Sequence, residues 1–299
     1  MLNLPCSSDK KNRFEIFIHL SMGNPGISGL VLIVANVLFS YQGLKDDNFQ
    51  DRYSFEVDKI LIRKDYKRLI TSGFLHGSWT HLLFNMITLY LFYSGLESFL
   101  DTGKFLLLYF VSLVGGNLLA LFVHRHHGEY SAIGASGAIS GVVFASIALF
   151  PGMELGLLGL PIFIPSWAYG LLYVLYSVYG IKSKRDNIGH EAHLGGGIAG
   201  MLMALIFYPK MLTENYLPIL LILIPSLAFL YLIITRPAIL LTDTFFKKPV
   251  KYHNIEEKYN SEKREREKEL DAILEKIHRR GMNSLSSKEK EKLDKYSSR

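Results

Sequence analysis

The chain has 299 residues, 49% of them hydrophobic and 20% charged, with a mean hydropathy of +0.20 and a net charge of +6. Several stretches of about 20 residues carry almost no charge, which is the length and composition of a membrane-spanning helix and excludes an ordinary soluble globular domain. A single cysteine, Cys6, excludes a disulfide framework and a cysteine-based zinc site.

The charge is uneven. Residues 247–299 hold 16 Lys/Arg and 11 Asp/Glu, a balance of +5, and the other 246 residues hold 17 and 16, a balance of +1. The basic character therefore belongs to the tail, a solvated appendage or a contact for anionic headgroups. Nucleic acid is not an expected partner.

In chain order, residues 1–26 form an N-terminal segment in which Lys10, Lys11 and Arg13 precede only a weak apolar patch, unlike a signal peptide. Spans are expected at about 27–43, 79–99, 104–123, 133–150, 161–181 and 190–209, with a seventh at 216–235. The first follows the turn signal Asn24-Pro25-Gly26. Residues 44–78 make a long first loop that mixes aromatic, aliphatic and charged side chains, as an element lying in the headgroup layer would. The seventh span carries no charge, and its Pro218 and Pro225 are tolerable in a membrane helix. Beyond the seventh helix and its flanks at 210–243, residues 244–299 form a charged tail. There Leu270, Ile273, Leu274 and Ile277 recur at the spacing of one helical stripe. Gly281 can cap that helix, and Ser286-x-x-Glu289 has the form of a capping box opening a second one. The fold class is thus an all-α polytopic membrane protein with a six-helix core at 27–209, a seventh helix and a short helical tail.

Polar groups inside spans are unfavourable and default to functional candidates. Span two opens with His81 and carries Asn85; span four opens Gly134-Ala135-Ser136-Gly137-Ala138-Ile139-Ser140-Gly141; span six opens His190-Glu191-Ala192-His193-Leu194-Gly195-Gly196-Gly197. Even-numbered spans run parallel, so His81, Ser136 and His193 lie at one depth, within about 10 Å of one membrane face at 1.5 Å per residue. The spacing of Gly134, Gly137 and Gly141, and of Gly196 and Gly200, lets the same helices approach backbone to backbone. A serine becomes a nucleophile beside a base, and His193 is the best placed. Glu191, two residues before it, points elsewhere on a helix, so a Ser–His dyad is expected, not a triad. His81 and Asn85, four apart, share a helix face. With the Ser136 amide they can donate to an oxyanion. A zinc-protease reading of His190-Glu191-x-His193 fails, because that motif needs its histidines four apart. A transporter would place ionisable residues at mid-membrane depth in several spans, and these are missing.

Tyr66 to Ser72, Phe74 to His81, Asn85, Gly134-Ala135-Ser136-Gly137 and Ala192-His193-Leu194-Gly195-Gly196, in that order over roughly 60–205, resemble the rhomboid family of intramembrane serine proteases. The resemblance implies Ser136 as nucleophile, His193 as general base, and His81 and Asn85 in the oxyanion hole. It also implies a water-filled cavity and a fifth span acting as substrate gate. No cofactor is required. The expected partners are single-span membrane-protein substrates and membrane lipids, and the expected location is the bacterial cell (inner) membrane. Arg68 and His76 fall within the matching stretch as supporting residues. The family's Trp-Arg pair reads Lys67-Arg68 here. The aromatic that it commonly places four residues after the nucleophile, under the histidine, is Ser140, so the histidine's support is expected to differ, with a hydrogen bond from Ser140 as one route. The alternative within the family is a pseudoprotease that holds membrane-protein clients without cutting them. The basic loops one, three and five lie outside in the family, against the positive-inside rule.

Overall fold

A computed structural model describes residues 26–150, 152–156, 163–183 and 188–235, together with Ile273, Ile277 and Leu293. The chain divides into two compact units, Met1–Thr242 and Asp243–Arg299. The expected N-terminal segment, most of the tail helix and the capping box at Ser286 lie outside the described residues. Within the second unit Ile273, Ile277 and Leu293 are helical, and Ile273 is buried.

The first unit is built from α-helices, which match the expected spans to within a few residues. Helix α1, Ile27–Gly43, turns Ser28, Leu32, Asn36, Ser40 and Gly43 inward and leaves Val31, Val34 and Leu38 exposed. Polar and small groups inside with aliphatic groups outside is the pattern of a helix in lipid. Its first turn is capped from another helix: the buried Glu97 carboxylate accepts the N–H groups of Ser28 and Gly29 at 3.3 and 3.2 Å, and the Thr102 hydroxyl at 2.9 Å. A carboxylate at a helix N-terminus satisfies two orphan donors and the macrodipole together, which accounts for an acid at this depth.

The first loop is folded rather than extended. It contains α2 (Asp47–Tyr53), β1 (Phe55–Glu56), α3 (Val57–Leu61), α4 (Arg68–Thr71) and a 3-10 turn at Ser72–Phe74. Asp46 caps α2 by accepting from the N–H groups of Asn48 and Phe49. Buried Arg68 ties the loop together. It donates to the carbonyls of Asp51 and Ser54 at 2.8 and 2.6 Å and to the Asp65 carboxylate at 2.9 Å.

Helix α5, Trp79–Leu100, starts where the Ser78 hydroxyl accepts from the His81 N–H, and α6, Thr102–His124, turns back at Asp101. Strand β2, Ser131–Ala132, pairs antiparallel with β1, Phe55 opposite Ala132, and so fastens the loop before the next helix to the first loop. Helix α7, Ser136–Leu149, is buried from Gly137 to its end. A helix apolar all round belongs in the centre of a bundle. A second ribbon, β3 (Glu154–Gly156) with β4 (Phe163–Pro165), leads into α8, Ser166–Ser183. Helices α9 (His190–Phe207), α10 (Met211–Glu214) and α11 (Tyr216–Thr235) complete the unit. Asn215 donates to the carbonyls of Ile147 and Ala148, both at 3.0 Å, and so closes the last turn of α7.

The bundle is held by missing side chains. A methyl group added to Gly196 would overlap the Gly137 carbonyl, one on Gly200 the Gly141 backbone, and one on Gly116 the Ala192 carbonyl. Helices α6, α7 and α9 therefore meet backbone to backbone. By length and composition alone, α6 and α11 can cross a membrane, while α1 and α7 are apolar but shorter. The 14 residues of α7 rise about 21 Å, against about 30 Å of hydrocarbon. One end of α7 thus lies below a membrane face, and Ser136 is its first residue.

Candidate active site

Three helix starts converge. His81 is the third residue of α5, Ser136 the first of α7 and His193 the fourth of α9. The glycine contacts bring α7 against α9, and the His193 Nε2 lies 2.7 Å from the Ser136 Oγ. With Nε2 unprotonated, the hydroxyl can donate to it, the geometry of a nucleophile and its base. Gly134, immediately before, has φ +138°, open to glycine and strained for any L side chain. A methyl there would also stand 3.0 Å from the His81 ring. Gly134 thus lets the backbone bring His81 up to Ser136. Asn85 is buried and donates through Nδ2 to the His81 carbonyl at 3.0 Å.

These groups line one cavity of about 670 Å³, which holds Ser136, His193, His81 and Asn85 together. A smaller cavity of about 130 Å³ adjoins it, between Asn85 and Thr88 of α5, Ser136 and Ser140 of α7, and Tyr169 and Tyr173 of α8. His76 sits behind the site. The Ser40 hydroxyl donates to the Phe74 carbonyl at 3.0 Å, so the His76 Nδ1–H must donate to Ser40 at 2.8 Å. Its ring meets that of His81 edge-on at 4.9 Å. Burial, with the neighbouring His81 second, pushes the His76 imidazole down to about 3, so it stays neutral.

Glu191 turns away from His193, to the His124 Nε2 at 3.1 Å, and the His124 ring lies flat on Tyr130 at 3.5 Å. The pair locks the end of α6 to the start of α9. The Ser140 hydroxyl donates its single proton to the Ser136 carbonyl at 2.7 Å. The ring beside His193 is that of Tyr173 on α8, 5.9 Å away and nearly parallel at 26°. No spacing marks Tyr173 in the sequence, since aromatics are common in spans; the only hint was the missing ring at position 140. Among the described residues, no three His, Cys, Asp or Glu side chains gather as a metal site would need.

Residues 63–210 match the rhomboid domain family, and residues 253–299 match a family of unknown function, DUF6576. Rhomboid protein YdcA of Bacillus subtilis is 32% identical over 148 residues, 49% of this chain and 69% of that protein. The chain belongs to the rhomboid family. It is an integral membrane protein with the family's all-α fold. Mitochondrial rhomboid protein 1 of Saccharomyces cerevisiae is 31% identical over 150 residues, 48% of this chain and 43% of that protein. Rhomboid protease AarA of Providencia stuartii is 25% identical over 228 residues, 68% and 78% of the two chains. The matched stretch is thus under half of the yeast relative. The relatives also include an inactive rhomboid of Drosophila melanogaster.

Proposed function

We propose that this rhomboid is an intramembrane serine endopeptidase that cleaves transmembrane segments of single-span proteins in a bacterial cell membrane. The observation that carries the reading is the 2.7 Å contact between His193 and Ser136 inside a cavity shared with His81 and Asn85. The Ser136 Oγ attacks the carbonyl carbon of a peptide bond unwound in the cavity, and its proton passes to the His193 Nε2. His81, the Asn85 amide and the Ser136 N–H donate to the oxyanion. Collapse breaks the C–N bond, and His193 returns the proton to the leaving amine. Water, deprotonated by His193, then hydrolyses the acyl-enzyme. The core is residues 27–209, followed by the seventh helix and a tail from 244.

Co-expression with a tagged single-span reporter tests this. A fragment is expected with wild type and absent with Ser136→Ala and His193→Ala. Cleavage that survives Ser136→Ala refutes the mechanism. No cleavage, together with failure of a fluorophosphonate probe to label Ser136, favours a rhomboid that binds membrane-protein clients without cutting them.

A further inference from the structure

We infer that Tyr173 of α8 is the positioning residue of the dyad, holding His193 by its ring and Ser136 by its hydroxyl. The inference rests on the protease reading and adds to it a residue outside the matched motifs. The hydrogen-bond directions follow from valence. Ser140 has one proton, and the Ser136 carbonyl, 2.7 Å away, takes it. The 2.7 Å contact between Ser140 and Tyr173 must then be donated by the phenol. A chain runs from the Tyr173 O–H through the Ser140 O–H to the carbonyl of Ser136. The same ring lies along His193 at 5.9 Å, within the range of favourable offset stacking. Phe144 of α7 meets the ring at 5.7 Å edge-on, and Tyr169 lies along it at 6.0 Å. One side chain from a third helix thus lies along His193 and reaches Ser136 through Ser140.

The placement has a functional consequence. Tyr173 also walls the cavity of about 130 Å³ beside Ser136, so whatever occupies that cavity presses on the ring that orients the base. Loss of the ring lowers kcat while leaving KM, because the binding cavity of about 670 Å³ has other walls.

The test uses the full chain and the single-span reporter. Tyr173→Ala is expected to lower kcat about 100-fold, the effect of roughly 1 Å of misplacement, with KM unchanged. Adding Ser140→Tyr to Tyr173→Ala puts a ring on α7 instead and is expected to restore kcat at least about tenfold, a gain of about 1.4 kcal/mol. A double variant no faster than Tyr173→Ala overturns the inference, as does a loss confined to KM. Where Tyr173→Ala does not fold, Tyr173→Phe and Ser140→Ala remove only the hydroxyl chain. Each is expected to slow kcat about fivefold, one hydrogen bond's worth, and the two together no more than either alone. Additive effects overturn the chain. If wild type neither cleaves nor takes the fluorophosphonate, the protease reading has failed. The same two variants are then compared by thermal unfolding, where additive shifts in Tm overturn the link.

Discussion

On the proposed protease reading, substituting Gly196 by alanine should damage catalysis more than stability, and the structure sets the size of the effect. A methyl on Gly196 stands 2.7 Å from the carbonyl carbon of Gly137 and 3.1 Å from its Cα, and overlaps its carbonyl oxygen. Ordinary carbon–carbon contact is about 3.5–4.0 Å, so the carbon contacts alone part the backbones of α7 and α9 by about 0.8 Å, and the overlapped oxygen parts them further. Neither partner is a flexible side chain that could step aside. Gly137 follows Ser136 in the chain, and Gly196 lies about one turn after His193. The separation is therefore delivered to the dyad, opening its 2.7 Å contact to about 3.5 Å, beyond a hydrogen bond. Misplacement of this order costs about 100-fold in rate. The overpacking penalty of about 1–3 kcal/mol is offset by the better helix propensity of alanine, about 1 kcal/mol. Cleavage kinetics and thermal unfolding of the purified chain measure the two effects separately. Gly103→Ala is the control, because its methyl would meet only the Asp101 carboxylate at 3.4 Å. Wild-type kcat in Gly196→Ala would refute the idea that backbone contact sets the dyad distance.

Arg68→Ala strips the carbonyls of Asp51 and Ser54 of a donor, each loss worth about 1–3 kcal/mol for a buried group. Limited proteolysis between residues 47 and 71 should accelerate at least tenfold, and Arg68→Lys should rescue it only in part, since an ammonium lacks the planar fork. An unchanged digestion rate contradicts the stapled loop. His76 gives a pH signature. Its imidazole is held near 3 in the fold, against 6.5 ordinarily. Between those values the unfolded chain binds the extra proton, so stability falls as pH drops, by up to about 1.4 kcal/mol per unit. The slope of Tm between pH 6.5 and 4 should be shallower in His76→Asn than in wild type; equal slopes would show that His76 does not contribute.

The spans were legible because lipid imposes length and apolarity on a helix, and the described helices follow the unbroken apolar stretches. The convergence of His81, Ser136 and His193 was legible for a related reason. Parallel helices place equal offsets from their starts at equal depth, so spacing along the chain becomes proximity in space. The first loop was harder. Its order comes from Arg68 and from a ribbon of two residue pairs, Phe55 with Ala132 and Glu56 with Ser131, too short to leave an alternating pattern. Glu97 is hidden for the opposite reason: besides Thr102, its partners are backbone N–H groups of α1, which carry no sequence signal. Tyr173 combines both difficulties. It acts through a ring contact and a relayed hydrogen bond across three helices, and neither has a characteristic spacing.

That relay answers a difficulty created by the site's own electrostatics. Ser136 opens α7, and His81 and His193 lie in the first turns of α5 and α9; the partial positive charge of a helix N-terminus favours a developing oxyanion. In the proposed mechanism the same field opposes the imidazolium that His193 becomes when it takes the serine proton. A triad would offset this with a carboxylate, but Glu191 is held by His124 instead. The Tyr173 ring lies along His193 at 5.9 Å, and a cation against an aromatic face gains about 0.5–2 kcal/mol as it is desolvated. The gain exists only once His193 is charged, so it lowers the barrier rather than the ground state. A ring tied to Ser140 keeps that face in register, which is why the phenol hydroxyl, and not the ring alone, belongs to the site.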